Sequence, residues 1–165
     1  NRRQEVIQGL KVVQPLISGN ALVTSAFLNY AGPLNPEARQ TLLSETLPNF
    51  ASAAGLMSAV PTPVAVLRLA MGDDEALGGL LQSWLDRGLV LDGQSLINAF
   101  LLEHGRRFPY ICDPDQIALQ YLMTTAADTG LYRLSPDAEG FADRLRDALQ
   151  YGHTLILEGP WTSVP

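Results

Sequence analysis

The sequence predicts an α/β fold in which parallel strands joined by crossover helices follow a helical N-terminal stretch. Three observations predict it. Pro109 to Cys112 is a short apolar run that breaks at Asp113-Pro114, and a helix-like segment, about Asp115 to Ala126, begins at once. Leu131 to Leu134 is a second such run, followed by a helical pattern with Phe141, Leu145, Ala148 and Leu149 on one face. His153 to Glu158 is a third, of the buried type, and it ends in an acid. Strand, helix, strand, helix, strand is the order a parallel sheet requires, because parallel neighbours cannot be joined by a tight hairpin.

The N-terminal elements follow from period and punctuation. Val6, Leu10, Val13 and Ile17 recur at spacings of four, three and four, which makes an amphipathic helix seam. Pro15 kinks or ends that helix. Ser18-Gly19-Asn20 reads as a break, with Asn20 capping an apolar helix from Ala21 to Tyr30 that should be buried on several sides. Gly32-Pro33 stops it. Asn35-Pro36-Glu37 then supplies a cap, a proline at the first helical position and an acid in the first turn, for a helix to about Glu45.

Residues 47 to 65 are rich in Ala, Ser and Pro without a period and read as a connector with one helical turn at most. Val64 to Leu69 is an apolar run that fits either helix or strand. Asp73 or Asp74 caps the next helix, whose face carries Leu77, Leu80, Leu81, Trp84 and Leu85, and Gly88 suits the left-handed residue past its end. Ser95 caps a further helix through Leu102, closed by Gly105. Ser135-Pro136-Asp137 opens the last helix and Gly152 closes it.

Composition narrows the function classes. A chain of 165 residues with 47% hydrophobic content and a mean hydropathy of +0.08 can bury a sizeable core. Its net charge of −6 opposes nucleic acid and anionic membrane as main ligands, since phosphate contact needs clustered cations. The cations are ten arginines and a single lysine, Lys11, so a mechanism that needs a lysine has one candidate. Cys112 is the only cysteine, which rules out an internal disulfide and any Cys/His zinc spacing. Pro61, Pro63, Arg68 and Gly72 interrupt the best apolar stretch before it reaches membrane-spanning length.

Strand, tight turn, helix at 109–126 is the layout in which a P-loop holds phosphates. Backbone N–H groups must wrap the phosphates there, which needs glycine, while a Lys supplies charge and a Ser or Thr binds magnesium. This turn is Asp113, Pro114, Asp115, Gln116: two acids that repel phosphate, one residue without an N–H, and no lysine. Glu158, at the end of the later strand, stands where a Walker B acid would, but Leu157 precedes it. A structural turn therefore outweighs a cofactor site, and no catalytic or metal-binding residue is expected here.

Four other candidates yield to simpler readings. Cys112, with His104 or His153 as base, has the parts of a nucleophilic pair, but a thiol inside an apolar strand reads as a small buried side chain. Arg106-Arg107 reads as a solvated turn or an ion pair rather than an anion clamp. Asp73-Asp74 lacks the further oxygens of a calcium loop. Trp84 and Phe108 read as packing residues rather than a stacking platform.

Read together, these segments resemble the fifth AAA+ module of dynein heavy chains. The run Trp84-Leu-Asp-Arg-Gly88-Leu89, Ser95, Asn98, Gly105-Arg-Arg107-Phe108-Pro109-Tyr-Ile-Cys-Asp113-Pro114 is similar to that module's Trp-x-x-x-Gly-Leu-Pro, Ser-x-Glu-Asn-Gly and Arg-Trp-Pro-Leu-Met-Ile-Asp-Pro pattern. Gly19 to Pro33 resembles the segment joining the returning stalk helix to the module, and Phe141 to Glu158 its second helix and third strand. Phe108 in place of tryptophan, Asp115-Gln116-Ile117 in place of Gln-Gly-Gln, Gln120 in place of Lys and Gly159-Pro160 after Glu158 mark the chain as divergent.

The resemblance implies a partial AAA+ sandwich: residues 1–45 follow the stalk, 46–72 connect, and 73–165 form the first part of a degenerate large subdomain. That part carries three of five expected strands and an exposed sheet edge. It further implies a non-hydrolysing structural module with no cofactor. Its partners would be neighbouring AAA+ modules of the same chain and, through the full-length protein, dynein intermediate and light chains and microtubules. The setting implied is the cytoplasm and cytoskeleton, including the axoneme of a cilium or flagellum. Whether other modules hydrolyse ATP stays open, as do a regulatory nucleotide-binding role and a scaffold unrelated to motility.

Overall fold

Helix α1 (Arg2–Val13) runs into α2 (Ile17–Tyr30) through a single 3₁₀ turn, Gln14–Leu16, that contains Pro15. The computed structural model describes residues 2–106, 108–127 and 130–159. A proline removes one N–H and crowds the preceding turn, and tightening that turn to 3₁₀ absorbs both effects without ending the rod. The expected break at Ser18-Gly19-Asn20 is therefore absent. Asn20 is interior to α2, and its Oδ1 accepts from the Ala59 backbone N–H at 2.7 Å instead of capping a helix.

The same device recurs downstream. Helix α3 (Pro36–Thr41) is capped by Asn35, whose side chain accepts from Ala38 N at 2.8 Å. It does not stop near Glu45: a π-turn, Leu42–Thr46, leads straight into α4 (Leu47–Ala53), with Leu47 N donating to Leu42 O. The wider turn makes room for Pro48. Residues expected to form a connector thus extend a helix. The irregular part is confined to residues 54–62.

Thr62 then caps α5 (Pro63–Met71), which resolves the run Val64 to Leu69 as helix. Gly72 ends α5 in the left-handed region at φ 72°. Asp73 caps α6 (Asp74–Asp86), accepting from Glu75 N at 3.1 Å, while Asp74 pairs with Arg68 at 2.7 Å. Asp92, not Ser95, caps α7 (Gly93–His104), one turn earlier than expected. The Ser95 hydroxyl instead donates to Asp92 Oδ2.

The chain divides into two compact units, Asn1–Tyr110 and Ile111–Pro165. In the first, α2 packs on α4 and α5, and α5 on α6 and α7. Phe27, Leu43, Leu67, Trp84 and Ile97 are fully buried there, each aliphatic or phenyl side chain contributing about 1.5–3 kcal/mol. Helix α2 buries one face (Gly19, Val23, Thr24, Phe27) rather than several, and Ala21, Ser25, Asn29 and Tyr30 are exposed. The seam Val6, Leu10, Val13 and Ile17 lies 53–63% exposed, so none of its members joins the core.

The second unit holds α8 (Ile117–Thr125), β1 (Leu131–Leu134), α9 (Phe141–Tyr151) and β2 (Thr154–Leu157); α9 begins after a left-handed Gly140, not at the expected Ser135-Pro136-Asp137, which lies in the preceding turn. Strands β1 and β2 pair in parallel, Leu131 with Thr154 through Leu134 with Leu157, across α9. This is the predicted crossover. Residues 109–112 form no strand: among the described residues no third strand lies beside them, and a strand without a neighbour leaves its backbone groups unpaired. Phe108, Tyr110, Ile111 and Cys112 are exposed, so neither Phe108 nor Cys112 is the packed core residue expected.

Candidate functional site

The turn expected at the P-loop position, residues 113–116, lies within the second unit. Asp113 O accepts from Gln116 N at 3.3 Å, closing a four-residue turn through Pro114 and Asp115. Gln116 sits at φ 57°, ψ 23°. It is the one non-glycine with positive φ among the described residues. A side chain there costs about 1–2 kcal/mol relative to right-handed backbone. Gln116 O then accepts from Gln120 N at 3.0 Å, which starts α8. Four helical N–H groups at such a start lack intrahelical partners. Gln116 caps none of them with its side chain, but Asp113 Oδ2 accepts from Leu119 N at 2.9 Å.

The Walker B-like residue is placed by the strand pair. Glu158 N donates to Leu134 O at 2.8 Å, one step past the last paired residues of β1 and β2. Its Oε1 receives both Arg133 Nε at 2.9 Å and a terminal guanidinium nitrogen of Arg133 at 2.6 Å. Both side chains are about two-fifths exposed, so the pair contributes at most about 1 kcal/mol to stability. The pair engages one of the two carboxylate oxygens of Glu158, Oε1.

Other candidates fall into place separately. Asp115 is exposed, and Asp113 is half-buried. Cys112 is exposed in irregular chain. His104 stacks on Phe100 at 4.6 Å and His153 lies between Tyr132 and Tyr151 at 5.2 and 6.1 Å. Each imidazole therefore has aromatic neighbours in its own unit. Arg106 is exposed, and Arg107 lies outside the described residues, as does Pro160.

Trp84 is fully buried and donates from Nε1 to Glu103 Oε2 at 3.0 Å, while Arg87 bonds Glu103 Oε1 at 2.7 Å and the Ser83 hydroxyl. One carboxylate thereby holds the indole and a guanidinium, a packing role rather than base stacking.

Sequence reasoning missed Arg39. Its side chain is 6% exposed. Nε donates to Ala31 O at 2.8 Å and Leu34 O at 3.0 Å, and the terminal nitrogens donate to Gly32 O and Asn98 Oδ1, both at 2.8 Å. Burial lowers its pKa, yet a guanidinium stays protonated. Arg39 therefore gathers the carbonyls at the end of α2 and ties them to α7. The one signal available was a lone arginine in a helix after Gly32-Pro33, which also fits a surface residue.

Residues 82–163 match a family model described as ATP-binding dynein motor region. The chain is 24% identical over 153 residues, 92% of its length, to the dynein beta chain of the flagellar outer arm of Chlamydomonas reinhardtii. It is 26% identical over 92% of its length to dynein axonemal heavy chain 11 of Sus scrofa. To the cytoplasmic dynein heavy chain of Caenorhabditis elegans it is 29% identical over 85% of its length. The chain spans about 3% of the length of each of these relatives.

Proposed function

Since this chain is related to the dynein heavy chains over most of its length, we propose that it is a structural AAA+ module of a dynein-type motor, the fifth of the ring, which hydrolyses no nucleotide. The observation that carries this reading is the commitment of Glu158. A Walker B acid must be free to orient water or magnesium, and here its Oε1 is held by two nitrogens of Arg133. The turn Asp113, Pro114, Asp115, Gln116 supports the same reading, because it supplies neither lysine nor glycine to a phosphate. The family description names ATP binding; residues 113–116 supply neither the glycine nor the lysine that phosphate holding uses.

In place of chemistry, the module passes displacement between stalk and ring. Helices α1 and α2 form one rod from Arg2 to Tyr30, and Arg39 joins its end to α7 through Asn98. A rod fixed at one end by a buried fork moves the helix it is fixed to. Within the full-length protein the partners are the neighbouring AAA+ modules, intermediate and light chains, and microtubules, in a cytoskeletal setting. Among the described residues no helix is long and apolar enough to cross a membrane.

Titration with mant-ATP and magnesium tests the reading. No saturable binding is expected. Micromolar affinity that disappears on changing Asp113 or Gln116 would overturn it. Co-sedimentation of the full-length chain with microtubules checks the motor assignment, and its failure would favour a scaffold that kept only the fold.

A further inference from the structure

Two hydroxyl residues in the chain are followed by proline: Thr62 before Pro63 and Ser135 before Pro136. Their settings differ. The Thr62 hydroxyl is engaged in the fold, since its oxygen accepts from Ala65 N at the start of α5. Ser135 is exposed at the head of the turn that leaves β1, where Ala138 N donates to Ser135 O at 3.0 Å. A proline-directed protein kinase needs such a hydroxyl: at the surface, ahead of proline, on a short turn outside helix and strand.

The register of the strand pair gives Ser135 its neighbours. Leu134 pairs with Leu157, and the ladder runs one step further, through Glu158 N to Leu134 O at 2.8 Å. Ser135 therefore stands opposite Glu158, on neighbouring strands about 4.8 Å apart. Side chains alternate along a strand, so position 135 shares a face with Arg133, and Glu158 with Ile156. The ion pair from Arg133 to Glu158 crosses that face diagonally. Ser135 thus stands beside one guanidinium and one carboxylate whose charges cancel.

We propose that Ser135 is a phosphorylation site for a proline-directed protein kinase, and that its phosphate takes Arg133 from Glu158. The γ-phosphoryl group of ATP passes to Ser135 Oγ. The Oγ–P bond forms as the bond from the γ-phosphorus to the bridging oxygen breaks, ADP leaves, and the hydroxyl proton goes to the kinase's catalytic base. A phosphoserine carries a charge of about −1.5 to −2 at neutral pH and three acceptor oxygens. That charge draws the guanidinium more strongly than the single charge of Glu158, and it repels Glu158 toward solvent. Asp137 and Glu139 follow in the same turn and add repulsion. Arg133 is the only cation between residues 131 and 140, so it is the local partner for the phosphate. The end of the strand pair changes from neutral to a charge of about −2. Modification therefore sets the charge that this strand end presents to whatever lies against it. The inference goes beyond the non-hydrolysing reading and holds whether or not the chain binds nucleotide.

Incubation of the chain with ATP, magnesium and a mitogen-activated protein kinase, followed by tandem mass spectrometry, tests the site. Phosphate should appear on Ser135, and that incorporation should vanish in Ser135→Ala. Incorporation at Thr62 alone, or none, would overturn the proposal. Phosphorus NMR titration of the modified chain then tests the exchange of partners. Beside Arg133 the second ionisation of the phosphate should fall below its ordinary value of about 6. In phosphorylated Arg133→Gln, where only Asp137, Glu139 and Glu158 remain nearby, it should rise above that value. Equal titration of the two proteins would overturn the exchange. Both substitutions fall on exposed positions, so neither removes a core contact.

Discussion

Replacing Gly19 with alanine sets two physical effects against each other. Inside a helix, Gly→Ala is worth about 0.5–1 kcal/mol of added stability, because alanine loses less backbone entropy. At Gly19 a Cβ would lie 2.0 Å from Met57 O and 2.6 Å from Met57 C, both backbone atoms that cannot rotate aside. Ordinary contact begins at 3.4 Å, so relief requires the chain at 57–59 to retreat by about 1.4 Å, and overpacking of this kind costs about 1–3 kcal/mol. Retreat also strains the bond from Ala59 N to Asn20 Oδ1, at 2.7 Å, worth about 1 kcal/mol.

The net expectation for Gly19→Ala is a loss of about 1–3 kcal/mol. Gly9→Ala is the control. Gly9 lies in α1 with nothing within 4 Å of its would-be Cβ, so a gain of up to about 1 kcal/mol is expected. Urea unfolding followed by far-UV circular dichroism would rank the two variants. A Gly19→Ala chain as stable as the wild type, or more so, would refute the close approach and restore the reading of Gly19 as a simple break.

Arg39→Ala should cost about 3–5 kcal/mol in the same assay, since it removes the guanidinium donors from Gly32 O, Leu34 O and Asn98 Oδ1 together and leaves Ala31 O only the Leu34 N–H. Arg39→Lys should recover only part, because an ammonium cannot span that fork, and a double-mutant cycle with Asn98→Ala should show coupling of about 1 kcal/mol. At Asp92, burial raises the carboxyl pKa, but hydrogen bonds from the Ser95 hydroxyl, Ser95 N and Gln94 N outweigh it and hold it below the ordinary value. The folded pKa is thus depressed. Its stabilisation is complete above the unfolded pKa, near 4, and is lost as pH falls through the folded value. Asp92→Asn should keep most of the cap and remove that acid dependence, whereas Asp92→Ala should cost about 1 kcal/mol at neutral pH. Acid titrations of the melting temperature check both.

Much of the local grammar was legible. Asn35 and Asp73 cap helices, Gly88 takes a left-handed position, and the strands at 131 and 154 pair in parallel across α9. At the candidate site, the absence of glycine and lysine from 113–116 needs no coordinates. The hydrogen bond from Leu119 N to Asp113 and the pairing of Arg133 with Glu158 were not legible, because each joins residues whose spacing in sequence fixes no distance.

The sequence by itself determined the helix starts at Asn35 and Asp73, the left-handed bend at Gly88, and that residues 113–116 contain neither glycine nor lysine. These depend on interactions within a few residues. Only the tertiary structure decided that α1 and α2 continue through Pro15, that Gly19 admits Met57 and that Arg39 is buried. It also decided that the apolar run 109–112 forms no strand. A proline, a glycine, an arginine and a short apolar run each have two solutions of similar local energy. Contacts from residues far along the chain choose between them, and a strand takes shape only where another lies beside it.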